Sequence, residues 1–222
     1  VHVKNLKFRY SPELPWVLND VSFEIRPGEK VGIVGRTGSG KSSLIQALFR
    51  LYPIEHGEIR IEGQQAAVPG KAGQGEGADL GVYRRSIAYI AQDPTLFRGT
   101  LRENLDLQGR HSDTVLIEAL ERVELDAWFR RLNDGLSSHI EEKGKNLSAG
   151  EGQLLAIASC LLQDAPLIVM DEATSSIDPQ TEEVLVKATE EFFSDRTQII
   201  IAHRLTTLLG CDKVLWLKSG SV

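Results

Sequence analysis

Residues 35 to 42, Gly-Arg-Thr-Gly-Ser-Gly-Lys-Ser, carry three glycines, a lysine and a hydroxyl at the spacing G-x-x-x-x-G-K-[ST]. Glycines let a backbone wrap round an anion with its N–H groups pointing inward, Lys41 reaches toward β- and γ-phosphates, and Ser42 offers a hydroxyl ligand for Mg2+. A second set lies far along the chain. The apolar run Leu167-Ile-Val-Met170 ends in consecutive acids, Asp171 and Glu172. A carboxylate at the C-terminal end of a buried strand, beside a phosphate loop, can hold Mg2+ through water. The chemistry these residues suit is cleavage of a nucleoside triphosphate.

Elements must bring such residues to one place, and the pattern around them supplies those elements. Lys30-Val-Gly-Ile-Val-Gly35 reads as a buried strand entering the glycine loop. Lys41 to Tyr52 reads as the helix leaving it, with Leu44, Ile45, Leu48, Phe49 and Tyr52 at helical spacing and Pro53 as the stop. Phosphates held by the loop would then meet a helix N-terminus. Upstream, Val1, Val3, Leu6, Phe8 and Tyr10, then Val21, Phe23 and Ile25, alternate as antiparallel strands do, and Glu58 to Glu62 fits with them. Residues 63–81 are rich in Gly, Ala and Gln with almost no large apolar side chains, and are expected to form a mobile surface loop. From Ser86 a strand, Ile87 to Ala91, resumes the order. One or two helices are expected between Ser112 and Leu132. After 147 a helix, the strand 167–170, a helix over 180–193 and the strand 198–202 alternate as in a parallel α/β core.

Composition narrows the function. The chain has 222 residues and a formal net charge of −6, which disfavours a nucleic-acid backbone as partner. No apolar run approaches the roughly 20 residues that span a bilayer. The first residue is Val1 rather than Met and no leader is visible, so the isolated chain is expected to be soluble and any membrane link to lie outside it. Cys160 and Cys211 have no metal-ligand spacing and are expected to be reduced thiols, Cys160 within the core.

After the glycine loop, five runs in order, Ala-Gln92-Asp-Pro, Asn146-Leu-Ser-Ala-Gly150, Leu167 to Glu172, Ser175-Ser-Ile-Asp178 and Ala202-His-Arg204, resemble the nucleotide-binding domain of ABC transporters over the whole chain. The stretch Phe97 to Asp106, together with Gly35 to Gly40, is most similar to the second such domain of class C, the multidrug-resistance-protein type. The resemblance implies an α/β fold: a RecA-like P-loop NTPase parallel core, an antiparallel β subdomain, and a helical subdomain carrying the signature motif. Residues 1–91 and 147–222 would form the core and β subdomain, 92–146 the mostly helical subdomain, and 63–81 an insertion. It implies ATP and Mg2+ as cofactors. Tyr10 would stack on adenine with Val17 at its flank. Gly35, Arg36, Thr37, Gly38, Ser39, Gly40, Lys41, Ser42 and Ser43 would line the phosphates. Ser42, Gln92 and Asp171 would hold the metal, Glu172 would act as general base, and Gln92 would also touch the attacking water. His203 would hydrogen-bond the γ-phosphate, and Asp178 would lie where the chain meets a second domain. Ser148 and the Gly150 amide would reach the γ-phosphate held by that second domain, either the other half of the same transporter or an identical subunit. The region around Gln92–Phe97 would meet transmembrane domains at the cytoplasmic face of a membrane.

One departure stands out. Ser148-x-x-Glu151 is a capping box that must begin a helix, but the family's usual residue at 151 is Gln, and Gly152 and Ser159 stand where Arg is common. A carboxylate in that first turn opposes a nearby triphosphate by up to about 1–2 kcal/mol. The chain's own Walker residues are therefore expected to serve a hydrolysing site and its signature helix a weaker one. Two other classes remain open: a soluble ABC-type ATPase acting on DNA or ribosomes, which the acidic balance disfavours, and an ATP-gated regulatory module, which Glu172 disfavours.

Overall fold

The computed structural model describes residues 1–61, 64–65, 79–171, 179–201 and 208–222. Its chain order is β1 (His2–Phe8), β2 (Leu18–Glu24), β3 (Lys30–Val34), α1 (Lys41–Leu48), β4 (His56–Ile61), β5 (Gln64–Gln65), α2 (Leu80–Arg85), β6 (Ile87–Ile90), β7 (Gly99–Thr100), α3 (Leu101–Leu105), α4 (Asp113–Arg122), α5 (Asp126–Phe129), β8 (His139–Ile140), α6 (Ala149–Gln163), β9 (Leu167–Asp171), α7 (Pro179–Phe192), β10 (Thr197–Ile201) and β11 (Lys213–Trp216). Most of the 63–81 segment falls outside the described residues. At its two ends β5 pairs with β4, and α2 starts at Leu80 behind an Asp79 cap.

The described residues form three sheets. One is four-stranded, in the order β2-β1-β4-β5, with β1 antiparallel to both β2 and β4. The second is five-stranded, in the order β11-β3-β10-β9-β6, and β3 runs parallel to both its neighbours. The third is the short antiparallel pair β7-β8. The alternating apolar pattern of the first thirty residues is confirmed, and its irregular steps have a cause. Asn5 and Asp20 take positive φ (47° and 58°), the β1–β2 register slips beside them, and Asn5 Nδ2 donates to Asp20 Oδ1 at 2.8 Å. The extra residue at each bulge is why Val3 to Leu6 and Leu18 to Val21 are three apart while all four point inward.

By its contacts the chain divides into two compact units. The first comprises residues 1–88, 166–169 and 196–222, the second 89–165 and 170–195. In the first, Val3, Leu6, Phe8, Leu18, Val31 and Ile33 join Leu44, Leu48, Ile59, Leu167 and Ile199 in one buried cluster. In the second, α6 packs on α3, α4 and α7, burying Leu154, Leu155, Ile157 and Ala158 with Leu101, Leu116 and Leu120. Cys160 is buried there, and burial pushes its thiol up to about 12, while Cys211 is half-buried in the first unit, neither of them in a disulfide.

The helix after the glycine loop is shorter than its sequence pattern predicts. It stops at Leu48 because Arg50 adopts φ 50°, and the Arg50 and Leu51 N–H groups return to Ala47 O and Gln46 O, both at 3.0 Å. That is a Schellman ending, which closes the helix before Pro53 is reached. Tyr52 therefore leaves the helix face and packs against aromatic rings of the β subdomain.

Gly57 tests the packing of the first unit. It has φ 90°, and a Cβ there would lie 2.5 Å from both Asn5 O and Leu6 Cα. Neither neighbour is a side chain that can swing away. Gly57→Ala is expected to destabilise this unit by more than about 2 kcal/mol, read as a lower midpoint in urea unfolding.

Candidate nucleotide-binding site

In the first unit, β3 delivers the chain into the glycine loop and α1 takes it away, as the apolar run and helical spacing predict. Gly38 and Gly40 have φ of 80° and 106°, a region that L side chains rarely adopt. A Cβ on Gly35 would lie 2.4 Å from both Leu217 O and Ser39 Oγ, so the turn closes only without one. Gly40 provides no side-chain cap, and no acidic residue occupies the first turn of α1. The N–H groups opening α1 thus have no side-chain acceptor, the condition that makes a helix start an anion site. Lys41 is buried, and its ammonium donates to Gly35 O at 2.7 Å and Arg36 O at 3.4 Å. Ser39 Oγ is buried with no hydrogen-bond partner. A polyphosphate meets all three conditions, with oxygens for the N–H groups, the ammonium and the orphaned hydroxyl. The loop fits its expected ligand.

Tyr10 lies two residues beyond β1 with 38% of its surface exposed, and its hydroxyl shares a 2.8 Å hydrogen bond with Ser43 Oγ in α1. Phe8 and Tyr52 hold the ring from two sides, each edge-to-face at a centroid separation of 5.1 Å. The segment leading to Val17 is tied down in turn. Arg9 stacks over Trp16 at 4.3 Å and pairs with Glu55, while Val17 N–H donates to Phe8 O at 2.8 Å. Tyr10, Val17 and residues 35–43 are thus brought together within one unit. The helical spacing puts Tyr52 on the α1 face, and only the Schellman ending of α1 places it in the aromatic cluster.

In the second unit, Ser148 caps α6 as the capping box requires. Glu151 N–H donates to Ser148 Oγ at 3.2 Å, and Ser148 N–H donates to Glu151 Oε2 at 2.8 Å. Glu151 Oε1 stands 3.7 Å from the Arg131 guanidinium, a neighbour that sequence spacing could not announce. Ser159 Oγ donates to Leu105 O at 3.1 Å. Gln92 follows β6, and its carbonyl accepts from Gln153 Nε2 of α6. Between these segments runs a groove of about 580 Å³, lined among others by Gln92, Pro94, Leu96, Gly144, Ser148 and Gly152. Gly152 lacks the atoms that would fill it, since a Cβ there would already lie 3.4 Å from Pro94. Asp171 ends β9, and its Oδ2 accepts a 3.1 Å hydrogen bond from the Tyr89 hydroxyl. Burial, with the adjacent Asp171 charge, pushes the Tyr89 phenol far above its ordinary range, so it stays a neutral donor. Glu172, Asp178 and His203 lie outside the described residues. Among the described residues no cluster of three or more His, Cys, Asp or Glu side chains forms a metal cage. The Asp171 carboxylate at the end of β9 is an oxygen donor of the kind Mg2+ takes alongside water and substrate phosphates.

The capping box allows helix formation to be separated from any effect on phosphate. Ser148→Ala removes the α6 cap and is expected to cost about 1 kcal/mol in urea unfolding. Glu151→Gln keeps an acceptor for the Ser148 N–H and is expected to leave the same midpoint nearly unchanged.

Comparison with known proteins agrees with this geometry. The ABC transporter family profile matches residues 18–175. The chain is 43% identical over its whole length to ATP-binding cassette sub-family C member 10 of Mus musculus, and 40% identical to ABC transporter C family member 3 of Arabidopsis thaliana. It is also 41% identical to sub-family C member 8 of Rattus norvegicus. It spans only 14% of the length of each of these relatives. A solved bacterial Atm1-family ABC exporter with ATP bound superimposes on the whole chain with a TM-score of 0.86 at 32% identity, the chain covering 37% of that protein. The chain therefore belongs to the ABC transporter family, with class C relatives, as one of its ATPase domains.

Proposed function

We propose that this chain is the ATP-hydrolysing motor domain of a class C exporter, closing with a second nucleotide-binding domain around ATP and driving transmembrane domains. The observation that carries the reading is the phosphate loop, with its uncapped helix start, its orphaned Ser39 hydroxyl and its Lys41 ammonium resting on backbone carbonyls. Lys41 exchanges Gly35 O for β- and γ-phosphate oxygens, and the backbone of Arg36, Thr37, Gly38, Ser39 and Gly40 wraps the β-phosphate. Tyr10 presents its ring to adenine with Val17 beside it, and Ser43 adds a hydroxyl near the phosphates. Ser42, Gln92 and, through water, Asp171 would hold Mg2+, which would supply positive charge against the charge building on the phosphates. Glu172 takes the proton of the attacking water, Gln92 orients that water, and His203 donates to the γ-phosphate.

The signature helix serves the partner's nucleotide, with Ser148 and the Gly150 amide as donors and Asp178 at the seam between the domains. Glu151 sets a carboxylate beside those donors, and Arg131, largely exposed at 3.7 Å, offsets only part of its charge. That asymmetry favours the second domain of a class C transporter, whose signature closes a weaker site. The groove beside Gln92, with Phe97 57% exposed nearby, offers room for a segment of the transmembrane domains at the cytoplasmic face of a membrane. No described helix is long and apolar enough to cross a membrane.

Sedimentation of the Glu172→Gln variant with and without Mg-ATP tests the motor reading. ATP binding is expected in either case. A dimer would point to identical partners, and a monomer that binds ATP to a different second domain. A variant that binds no nucleotide would remove the reading altogether. Where the complete transporter or the matching second domain is present, Glu151→Gln is expected to tighten ATP-driven association about three- to tenfold, the range set by one partly screened charge at a helix start. Unchanged association would refute the electrostatic argument.

A further inference from the structure

We propose that Tyr89 is a positioning residue for the magnesium site, holding the Asp171 carboxylate in the orientation in which it binds the metal's water. The inference rests on the reading of Asp171 as a magnesium-holding acid and goes beyond it, because no motif marks Tyr89.

Tyr89 is the third residue of β6, the strand next to β9 in the five-stranded sheet, and Asp171 is the last residue of β9. Most of β6 is buried, yet Tyr89 keeps 39% of its surface exposed and sends its hydroxyl to Asp171 Oδ2 at 3.1 Å. Its backbone is also held, since the buried Cys160 thiol of α6 donates to Tyr89 O at 3.6 Å. A neutral phenol is a suitable partner for this task. It donates one hydrogen bond to one carboxylate oxygen, adds no charge to compete with a dication, and leaves Oδ1 for the metal's water. An Asp at a strand end has two torsions to settle, and without a second contact it samples rotamers that turn both oxygens away from any one point. Lys or Arg in the same place would fix the rotamer as well, but would repel Mg2+. Removing the hydroxyl leaves the ring and its packing intact, and the freed Asp171 oxygen can be hydrated because that side chain is only half-buried. The loss should therefore appear in metal binding and not in folding.

The test is the ratio of TNP-ATP dissociation constants measured in EDTA and in excess Mg2+, for the unaltered chain, Tyr89→Phe and Asp171→Asn. A supporting outcome is a Tyr89→Phe protein with unchanged melting temperature and unchanged affinity in EDTA, whose magnesium enhancement falls about tenfold, as losses of outer-shell partners do. Asp171→Asn should lose at least as much. If Asp171→Asn loses the enhancement and Tyr89→Phe keeps it, the positioning role is overturned while the reading of Asp171 stands. If Asp171→Asn keeps it, Asp171 does not hold the metal and the proposal fails with that reading.

Discussion

Everything in the first unit is arranged round the unpaired N–H groups at the start of α1. A helix opening normally finds a side-chain acceptor, and here Gly40 denies it one. Denying the cap costs local stability, which the surrounding core must supply. Leu44 and Leu48 anchor α1 in the same cluster as Val31 and Ile33 of β3, so the strand and the helix cannot drift apart and open the loop. The glycines are then forced by geometry: a Cβ at 35 would strike Leu217 O and Ser39 Oγ, and positions 38 and 40 need positive φ. The same arrangement explains where Lys41 rests. A buried ammonium needs acceptors, and the Gly35 and Arg36 carbonyls provide them at the lip of the loop.

The second unit solves the opposite problem with the same physics. The start of α6 is fully capped, by Ser148 and Glu151 acting reciprocally, and the helix is held by apolar contacts with α3, α4 and α7. Sequence departures there have structural counterparts. Ser159 spends its hydroxyl on Leu105 O, and Gly152 keeps open a groove that a longer side chain would crowd. Arg131 supplies a charge opposite Glu151 from a segment outside the motif. The signature helix thus carries Gly152 and Ser159 on its length and has one basic neighbour, Arg131, from a turn outside it.

Tyr10 and Tyr89 make comparable contacts in different units. Each is a partly exposed ring whose hydroxyl is hydrogen-bonded to a distant side chain, Ser43 in one case and Asp171 in the other. Neither bond could be inferred from spacing, because one joins residues 33 positions apart and the other residues 82 apart.

The sequence by itself determined the local structures whose physics is local. The glycine loop is one, since only glycine tolerates its torsions. The capping box at Ser148 is another, along with the buried strands at 30–34, 167–171 and 197–201, which show as continuous apolar runs. Order along the chain and the family motifs then gave the α/β class. The tertiary structure decided what depends on non-local approach. It ended α1 at Leu48 through Arg50's left-handed torsion and so moved Tyr52 into the aromatic cluster. It placed bulges at Asn5 and Asp20 that explain the skipped steps in β1 and β2. It also set Arg131 beside Glu151 and Tyr89 beside Asp171. Torsion limits and hydrogen bonds within a turn are written in neighbouring residues, whereas the partner of an exposed charge or phenol is chosen by how distant strands and helices pack.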